Sequence, residues 1–292
     1  MPEFPDVALY LEALSARLAG RVLCEVRLHK PFVLRTVDPP LDALRGREVR
    51  AFSRLGKRIV FECDPDLFLV VHLMIAGRLR WREGSQKAPP AKQILAELTF
   101  EHGRLYFTEA GSTRRAAMHV VRGRETVAVL DPGGIDPLTA SLDEFRAAMV
   151  RDSHTLKRAL TDPHLLSGIG NAYSDEILHA ARLSPLKLAR SLTNEEWNRL
   201  HEATRSTLIG WLDRLRAEAA GQFPETVTAF REGMAVHGRF NAPCPVCGTP
   251  VQRIVYAANE CNYCARCQTG GRLLADRSLS RLLKDAWPKT VD

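Results

Sequence analysis

Apolar residues recur at Val7, Leu11, Leu14 and Leu18, the spacing of one helix face, and Gly20 ends that helix. Beyond it the pattern changes to short runs rich in β-branched and aromatic residues. These are RVLCEVRLH (21–29), REVRAFSRLG (47–56), KRIVFECD (57–64), DLFLVVHLM (66–74), ILAELTFEHG (94–103), RLYFTEA (104–110) and TVAVLD (126–131). Turn residues such as Asp64-Pro65-Asp66 and His102-Gly103 separate them, which predicts a β meander or sandwich over 1–130. The stretch 84–90 reads as an exposed loop. Asp131-Pro132-Gly133-Gly134 interrupts the pattern as a linker. Helical spacing then returns in SLDEFRAAMV (141–150), where Ser141 and Glu144 have the spacing of a capping box. DSHTLKRALTD (152–162), AYSDEILHAARL (172–183) and the long run 193–219 also read as helices. The division is therefore 1–130, a helical 131–239, a Cys-, Pro- and Gly-rich ribbon at 240–270, and an amphipathic tail at 271–292. No internal repeat is visible.

Composition fits this layout: 292 residues, 45% hydrophobic and 26% charged, is globular and long enough for two domains. The net charge of +7 is uneven. Lys and Arg outnumber Asp and Glu by 21 to 15 in 1–130 and by 7 to 4 in 241–292, but are outnumbered 13 to 15 between. Two basic ends suit a phosphate-binding surface, or simply a soluble basic protein. The start, MPEFPDV, is acidic and broken by prolines, with no apolar signal region. No apolar run approaches the roughly 20 residues that span a bilayer. The expectation is a cytoplasmic protein without membrane partners, whose seven cysteines do not form disulfides.

Five of those cysteines fall between 244 and 267. Cys244 and Cys247 form one Cys-x-x-Cys knuckle, and Cys264 and Cys267 form another after sixteen residues. Four thiolates at this spacing suit one tetrahedral zinc, and a closed four-Cys site is structural. A redox pair would sit beside a βαβ unit, and none is evident. Cys261 breaks the knuckle pairing, and Cys24 and Cys63 read as buried small hydrophobes.

Two further features carry chemistry. In 154–185 one helix ends near Asp162-Pro163, and LLSGIGN leads into a second, with Asn171 as its expected N-cap. Gly168 and Gly170 permit close backbone approach, and a helix N-terminus can hold a phosphate. An ordinary helical hairpin with a glycine turn reads the same way. At the start of the chain, removal of Met1 before Pro2 would expose a secondary amine. An α-amine titrates near about 8, against roughly 10.4 for lysine, so more of it is nucleophilic at neutral pH. Attack on C1′ of a damaged nucleoside would displace the base, give an iminium, and permit β-elimination. Glu3 is beside this amine, and Lys57 opens a predicted strand. Alone, Met-Pro is equally a translation start and Lys57 a surface charge.

Four anchors occur in order: MPEFPDV, the lysine of RLGKRIVFE, LLSGIGNAYSDEIL, and the four-Cys ribbon preceded by VHG. Together they make the chain resemble the formamidopyrimidine-DNA glycosylase/endonuclease VIII family from Pro2 to Cys267. The resemblance implies a multidomain α+β fold. It has an N-terminal β-sandwich with an N-terminal helix, then a helical helix–two-turn–helix domain and a zinc ribbon, with DNA between. It implies a monomeric base-excision glycosylase with abasic-site lyase activity on damaged double- or single-stranded DNA. By resemblance Pro2 is the nucleophile and Glu3 the proton-transfer group. Lys57 and Lys157 lie near lesion phosphates, Asn171 contacts backbone phosphate, and Cys244, Cys247, Cys264 and Cys267 hold one structural Zn2+.

Several positions depart from the family. Asp6 stands where glutamate is usual. The lesion-reading loop corresponds to 109-EAGSTRRAAMH-119, which keeps Arg114 and Arg115 as DNA contacts but lacks the wedge phenylalanine. Ile75, next to Met74, replaces the methionine that fills the void of the flipped base. Asn259 replaces the ribbon arginine, for which Arg253 is a substitute. The loop between Gly221 and His237 is shortened, and the tail is longer. A damaged-DNA-binding relative with weak base excision is the alternative reading, and a zinc-ribbon protein acting on RNA a third. Extracting a stacked base costs a few kcal/mol, least at damaged or unpaired sites. Turnover on an 8-oxoguanine duplex should therefore be slower than on an abasic duplex. Equal turnover in a single-turnover cleavage assay would contradict this.

Overall fold

The computed structural model describes residues 1–292 except 112–113, 226, 228–229, 257–258, 275–288 and 292, and leaves out the side chains of 256 and 259. The chain divides into two compact units, Met1–Pro132 with Trp211–Thr228, and Gly133–Gly210 with Ala229–Asp292.

The first unit opens with α1 (Phe4–Leu18), which carries Pro5 in its first turn, and Gly20 follows it at φ +74°. Among the described residues nine strands make two antiparallel sheets. The strands β1 (Arg21–Leu23), β3 (Arg47–Leu55), β4 (Arg58–Cys63), β5 (Leu67–His72) and β9 (Ala117–Arg122) form one, in the order β1-β3-β4-β5-β9. The strands β2 (Glu25–Leu28), β6 (Gly77–Glu83), β7 (Ile94–Phe100) and β8 (Gly103–Glu109) form the other, in the order β2-β7-β8-β6. One core holds Val7, Tyr10 and Leu14 of α1, Ile59, Phe61 and Val71 of the first sheet, and Leu98 and Phe107 of the second. This is a β-sandwich behind an N-terminal helix.

Four local expectations are corrected. The run 21–29 is two strands, because the chain changes sheets at Cys24. Cys24 is accordingly exposed rather than buried. The strands β6 and β9 are not among the expected runs. In β6, alternation is visible in retrospect, with Leu79 and Trp81 buried and Arg78, Arg80 and Arg82 half-buried. TVAVLD is not a strand. Residues Arg124–Val129 form α2, with Gly123 as N-cap at φ +85°. Val127 and Leu130 cover Phe68, Val70 and Val121 on the outer face of the first sheet, so packing overrides β-propensity.

The second unit contains α3 (Leu142–Val150), α4 (Leu156–Thr161), α5 (Asn171–Ala180) and residues 194–210 of α6 (Asn194–Ala219). The Ser141–Glu144 capping box forms: the Ser141 N–H donates to Glu144 at 2.8 Å and the Glu144 N–H to Ser141 Oγ at 3.3 Å. The ribbon is a hairpin of β10 (Gln252–Tyr256) and β11 (Asn259–Tyr263), followed by α7 (Ala265–Thr269). Of the tail, Leu274 packs on Ile254, Cys261 and Tyr263, with Leu273 at the margin. Leu279, Leu282 and Leu283 lie outside the described residues.

Buried charge organises this unit. Lys157 of α4 donates to Asp175 at 2.6 Å, Ser174 at 2.8 Å and the Asn171 carbonyl at 2.7 Å. His237 shares the second Asp175 oxygen at 2.8 Å. Burial alone would raise the Asp175 carboxyl, but Lys157 and His237 hold it below the usual carboxylate range. The next carboxylate, Glu176, accepts the backbone N–H groups of Ala235, Val236 and His237 at 2.7–2.9 Å.

Two outcomes are expected. Replacing Lys157 by Met strands a buried carboxylate and should cost about 3–5 kcal/mol at pH 7. A depressed carboxyl contributes stability above its unfolded value of about 3.9 and loses it as pH falls through the folded value. The gap between wild type and Lys157→Met in urea unfolding should therefore narrow in acid. A gap below about 1 kcal/mol at pH 7 would contradict the role given to the pair. In the β5–β6 turn the Gly77 N–H donates to the Leu73 carbonyl at 2.9 Å, and a Cβ on Gly77 would run into that oxygen. Gly77→Ala should lower stability by about 1–3 kcal/mol, and an unchanged melting temperature would refute this.

Candidate functional site

In the first unit the sandwich gathers charge around the start of the chain. Glu3 and Asp6 are both buried, and the Asp6 carboxylate accepts the Glu3 N–H at 2.9 Å. The aspartate at position 6 thus closes the first turn of α1. Arg54 of β3 lies over the Phe4 ring at 4.9 Å. The β3–β4 hairpin turns through Gly56 at φ +62°, the first of two turn residues, and Lys57 is the second. Lys57 is therefore a half-buried turn residue rather than the start of a strand.

The terminal amine of Met1 feels this cluster. Burial lowers its pKa, Glu3 and Asp6 oppose that, and Arg78 and Lys57 add to it, leaving the amine below its ordinary value. Arg78 also donates to the Ile75 carbonyl at 3.0 Å and the Gly77 carbonyl at 2.6 Å, bracing a turn in which Met74 adopts φ +54°. Ile75 is left 61% exposed at the tip of that turn.

A cleft of about 470 Å³ is lined by Ile75, Arg78, Arg80, Ala110, Glu225 and Val227, among others. Glu225 is held by Arg80 at 2.6 Å and Arg82 at 2.7 Å, which pins the segment after α6 to β6. Two sequence-expected elements, Ile75 and the 109–119 loop, therefore meet at one cleft. Within that loop Glu109 accepts the N–H groups of Arg115 and Ala116 at 3.0 and 3.1 Å. The Arg114 and Arg115 side chains are exposed, and the Arg114 guanidinium lies 5.8 Å from the Phe32 ring centre. Ser112 and Thr113 lie outside the described residues.

Sequence reasoning missed His72 and Arg78. His72 pairs across the sheet with Arg58. Burial, then Arg58, Lys57 and His119, push its pKa down to about 4. Burial also lowers the Arg58 guanidinium against the opposing Asp131 charge. Lys57 and Arg58 form a cationic patch at one end of β4 and β5, with a neutral His72 beside it. A histidine ending an apolar strand was the available signal for it.

In the second unit Gly170, not Asn171, is the N-cap of α5. Asn171 is the first helical residue, and its amide donates to the Glu260 carbonyl of β11 at 2.9 Å. Lys157 is turned inward, with 7% of its side chain exposed, and supports α5 from beneath. Arg253 of β10 is exposed, lies 4.2 Å over the Phe240 ring and faces Glu260 at 3.6 Å. The Asn259 side chain lies outside the described residues.

The sulfur atoms of Cys244, Cys247, Cys264 and Cys267 lie within 4.8 Å of one another, with pairs at 3.4 and 3.9 Å. Zinc–sulfur bonds of about 2.3 Å put the corners of a tetrahedron about 3.8 Å apart, so these four residues could hold a metal ion. Among the described residues no helix is long and apolar enough to cross a membrane.

The chain is similar to known proteins over most of its length. The formamidopyrimidine-DNA glycosylase N-terminal domain family matches residues 1–117, and the formamidopyrimidine-DNA glycosylase H2TH domain family matches 134–214. A formamidopyrimidine-DNA glycosylase of Heliobacterium modesticaldum is 34% identical over 92% of this chain and 100% of its own. An uncharacterized formamidopyrimidine-DNA glycosylase-like protein of Mycobacterium tuberculosis is 41% identical over 52% of this chain and 94% of its own. Among solved structures, the MutM (Fpg) protein from Thermus thermophilus superposes with a TM-score of 0.73 at 32% identity, covering 91% of this chain and 98% of that one. The Lactococcus lactis Fpg in complex with abasic-site DNA shares the fold, with a TM-score of 0.80 at 23% identity, covering 91% and 99%. With both halves of the fold matched and full-length relatives above 30% identity, the chain belongs to the formamidopyrimidine-DNA glycosylase family.

Proposed function

We propose that this protein is a base-excision-repair glycosylase and abasic-site lyase whose nucleophile is the Pro2 amine, exposed when Met1 is removed. The observation that supports the reading is the field at the start of the chain, where burial, Arg78 and Lys57 lower the pKa of the Met1 amine, one residue before the Pro2 nitrogen. A neutral amine keeps the lone pair that attack requires. Removal of Met1 brings the amine one residue closer to Glu3.

The chemistry follows from these groups. The Pro2 nitrogen bonds to C1′ as the C1′–base bond breaks, and the departing base takes up a proton, for which Glu3 is the donor. The amine proton then leaves, and the C1′–O4′ bond breaks with its electron pair and a proton going to O4′, which gives an iminium. The iminium acidifies C2′, whose proton is removed as the 3′ phosphate leaves with the electron pair. Lys57 and Arg58 offer cationic contacts to the flanking phosphates, with the neutral His72 beside them, and Arg114, Arg115 and Arg253 do so elsewhere on the DNA. Asn171 contacts backbone phosphate from the first turn of α5. Lys157 acts from beneath, by holding Asp175 and the Asn171 carbonyl.

The four cysteines hold one structural Zn2+. It supplies a cross-link between the two knuckles, and with four sulfur ligands it leaves no position for substrate. The protein works as a monomer in the cytoplasm.

Borohydride trapping on a duplex with one abasic site tests the reading. Processed wild type should give a covalent adduct, and Pro2→Gly should give about a hundredth as much or less, with DNA binding kept. Glu3→Gln should impair base excision more than lyase action on a ready-made abasic site. Tight abasic-DNA binding without any adduct would instead favour a damage-recognition protein.

A further inference from the structure

The ribbon thiols are not hydrogen-bonded alike. Cys264 Sγ receives the backbone N–H of Cys267 at 3.5 Å, from within its own knuckle. Cys244 Sγ instead lies 3.3 Å from Nε2 of His179, in the last turn of α5. Both residues are buried, with His179 6% and Cys244 2% exposed. A thiolate has no proton to give, so the ring nitrogen must be the donor and Nδ1 need not carry one. The four sulfurs would supply all four ligands of a tetrahedral ion, so the imidazole is not needed as a ligand. Four thiolates around a divalent ion would leave two excess negative charges, and at the buried Cys244 and Cys264 N–H donors must offset them.

Other ties run between the same partners. Gln268 of α7 accepts the Cys264 N–H at 2.8 Å and donates to the Leu183 carbonyl beyond α5 at 2.9 Å. At the opposite end of α5, Asn171 donates to Glu260 of β11 at 2.9 Å. The helix is thus fastened to the ribbon at its first turn and its last. We propose that His179 is a positioning residue of the metal centre, donating from Nε2 to the Cys244 thiolate and coupling metal retention to the placement of α5. The inference rests on the zinc reading above.

The experiment uses the full-length protein as purified. Zinc content is measured first, then the rate of zinc transfer to a chelating dye, for wild type, H179F and H179Q. The thiolate-to-metal charge-transfer band of the Co2+-substituted proteins is recorded alongside. H179F removes the donor but keeps an aromatic ring, and should release zinc about tenfold faster or more. Its cobalt band should move to longer wavelength, because a thiolate without the N–H donates more readily. H179Q restores an N–H donor and should return both readings towards wild type. A folded H179F with wild-type release and an unmoved band overturns the assignment. If H179F does not fold, H179N, whose shorter amide falls short of the sulfur, takes its place, and wild-type behaviour there overturns the assignment equally. A wild-type protein without zinc would overturn the zinc reading and this inference with it. Zinc in wild type with variants unchanged would overturn only the role of His179.

Discussion

The placement of the chain's first residues depends on the burial of one stripe of α1. Val7, Tyr10, Leu14 and Leu18 are all fully enclosed in the core shared by the two sheets. A helix held along its whole length cannot slide or turn, so the residues before it are held as well. The start of a chain is ordinarily its least ordered part. Here it is held among Glu3, Asp6, Lys57 and Arg78, with Arg54 over Phe4. The apolar stripe carries no charge, yet it fixes the surroundings of an α-amine whose pKa is lowered by burial.

The second unit reaches order by the opposite route. Its central contact is ionic, and a buried ion pair contributes little net stability against an apolar replacement. What it does supply is specificity of arrangement. Asp175 accepts from a helix on one side and from His237 on the other, while Glu176 gathers three consecutive N–H groups. Two adjacent acidic residues on one helix therefore set the path of the chain that enters the ribbon.

Legibility in the sequence follows the range of the interactions. The cysteine knuckles, the Ser141–Glu144 box and the stripe of α1 are written within a few residues, and the structure contains each of them. The strand β6 is obscured by its three arginines, which read as loop until Glu225 is seen to pair with two of them from more than 140 positions away. TVAVLD has the residues of a strand and becomes a helix because it covers an apolar face. Asn171 looks like a cap because the residue type fits, but Gly170 takes that place and Asn171 reaches the ribbon instead. His72 gives only a weak signal, since its importance lies in the cations beside it.

The first unit is not made from one stretch of chain. Residues 211–228 return to it, and Phe223 and Val227 of that segment enter its core, with Phe223 5.8 Å from the Tyr10 ring. The sandwich therefore cannot be finished when residue 132 leaves the ribosome. Its core stays open, and Arg80 and Arg82 lack their carboxylate, until nearly a hundred further residues have been synthesised. During translation the helices of 133–210 are made before the sandwich is complete, and their own partners Ala235, Val236 and His237 come later still. A nascent chain thus carries α1 against an unfinished core throughout the synthesis of α3, α4 and α5.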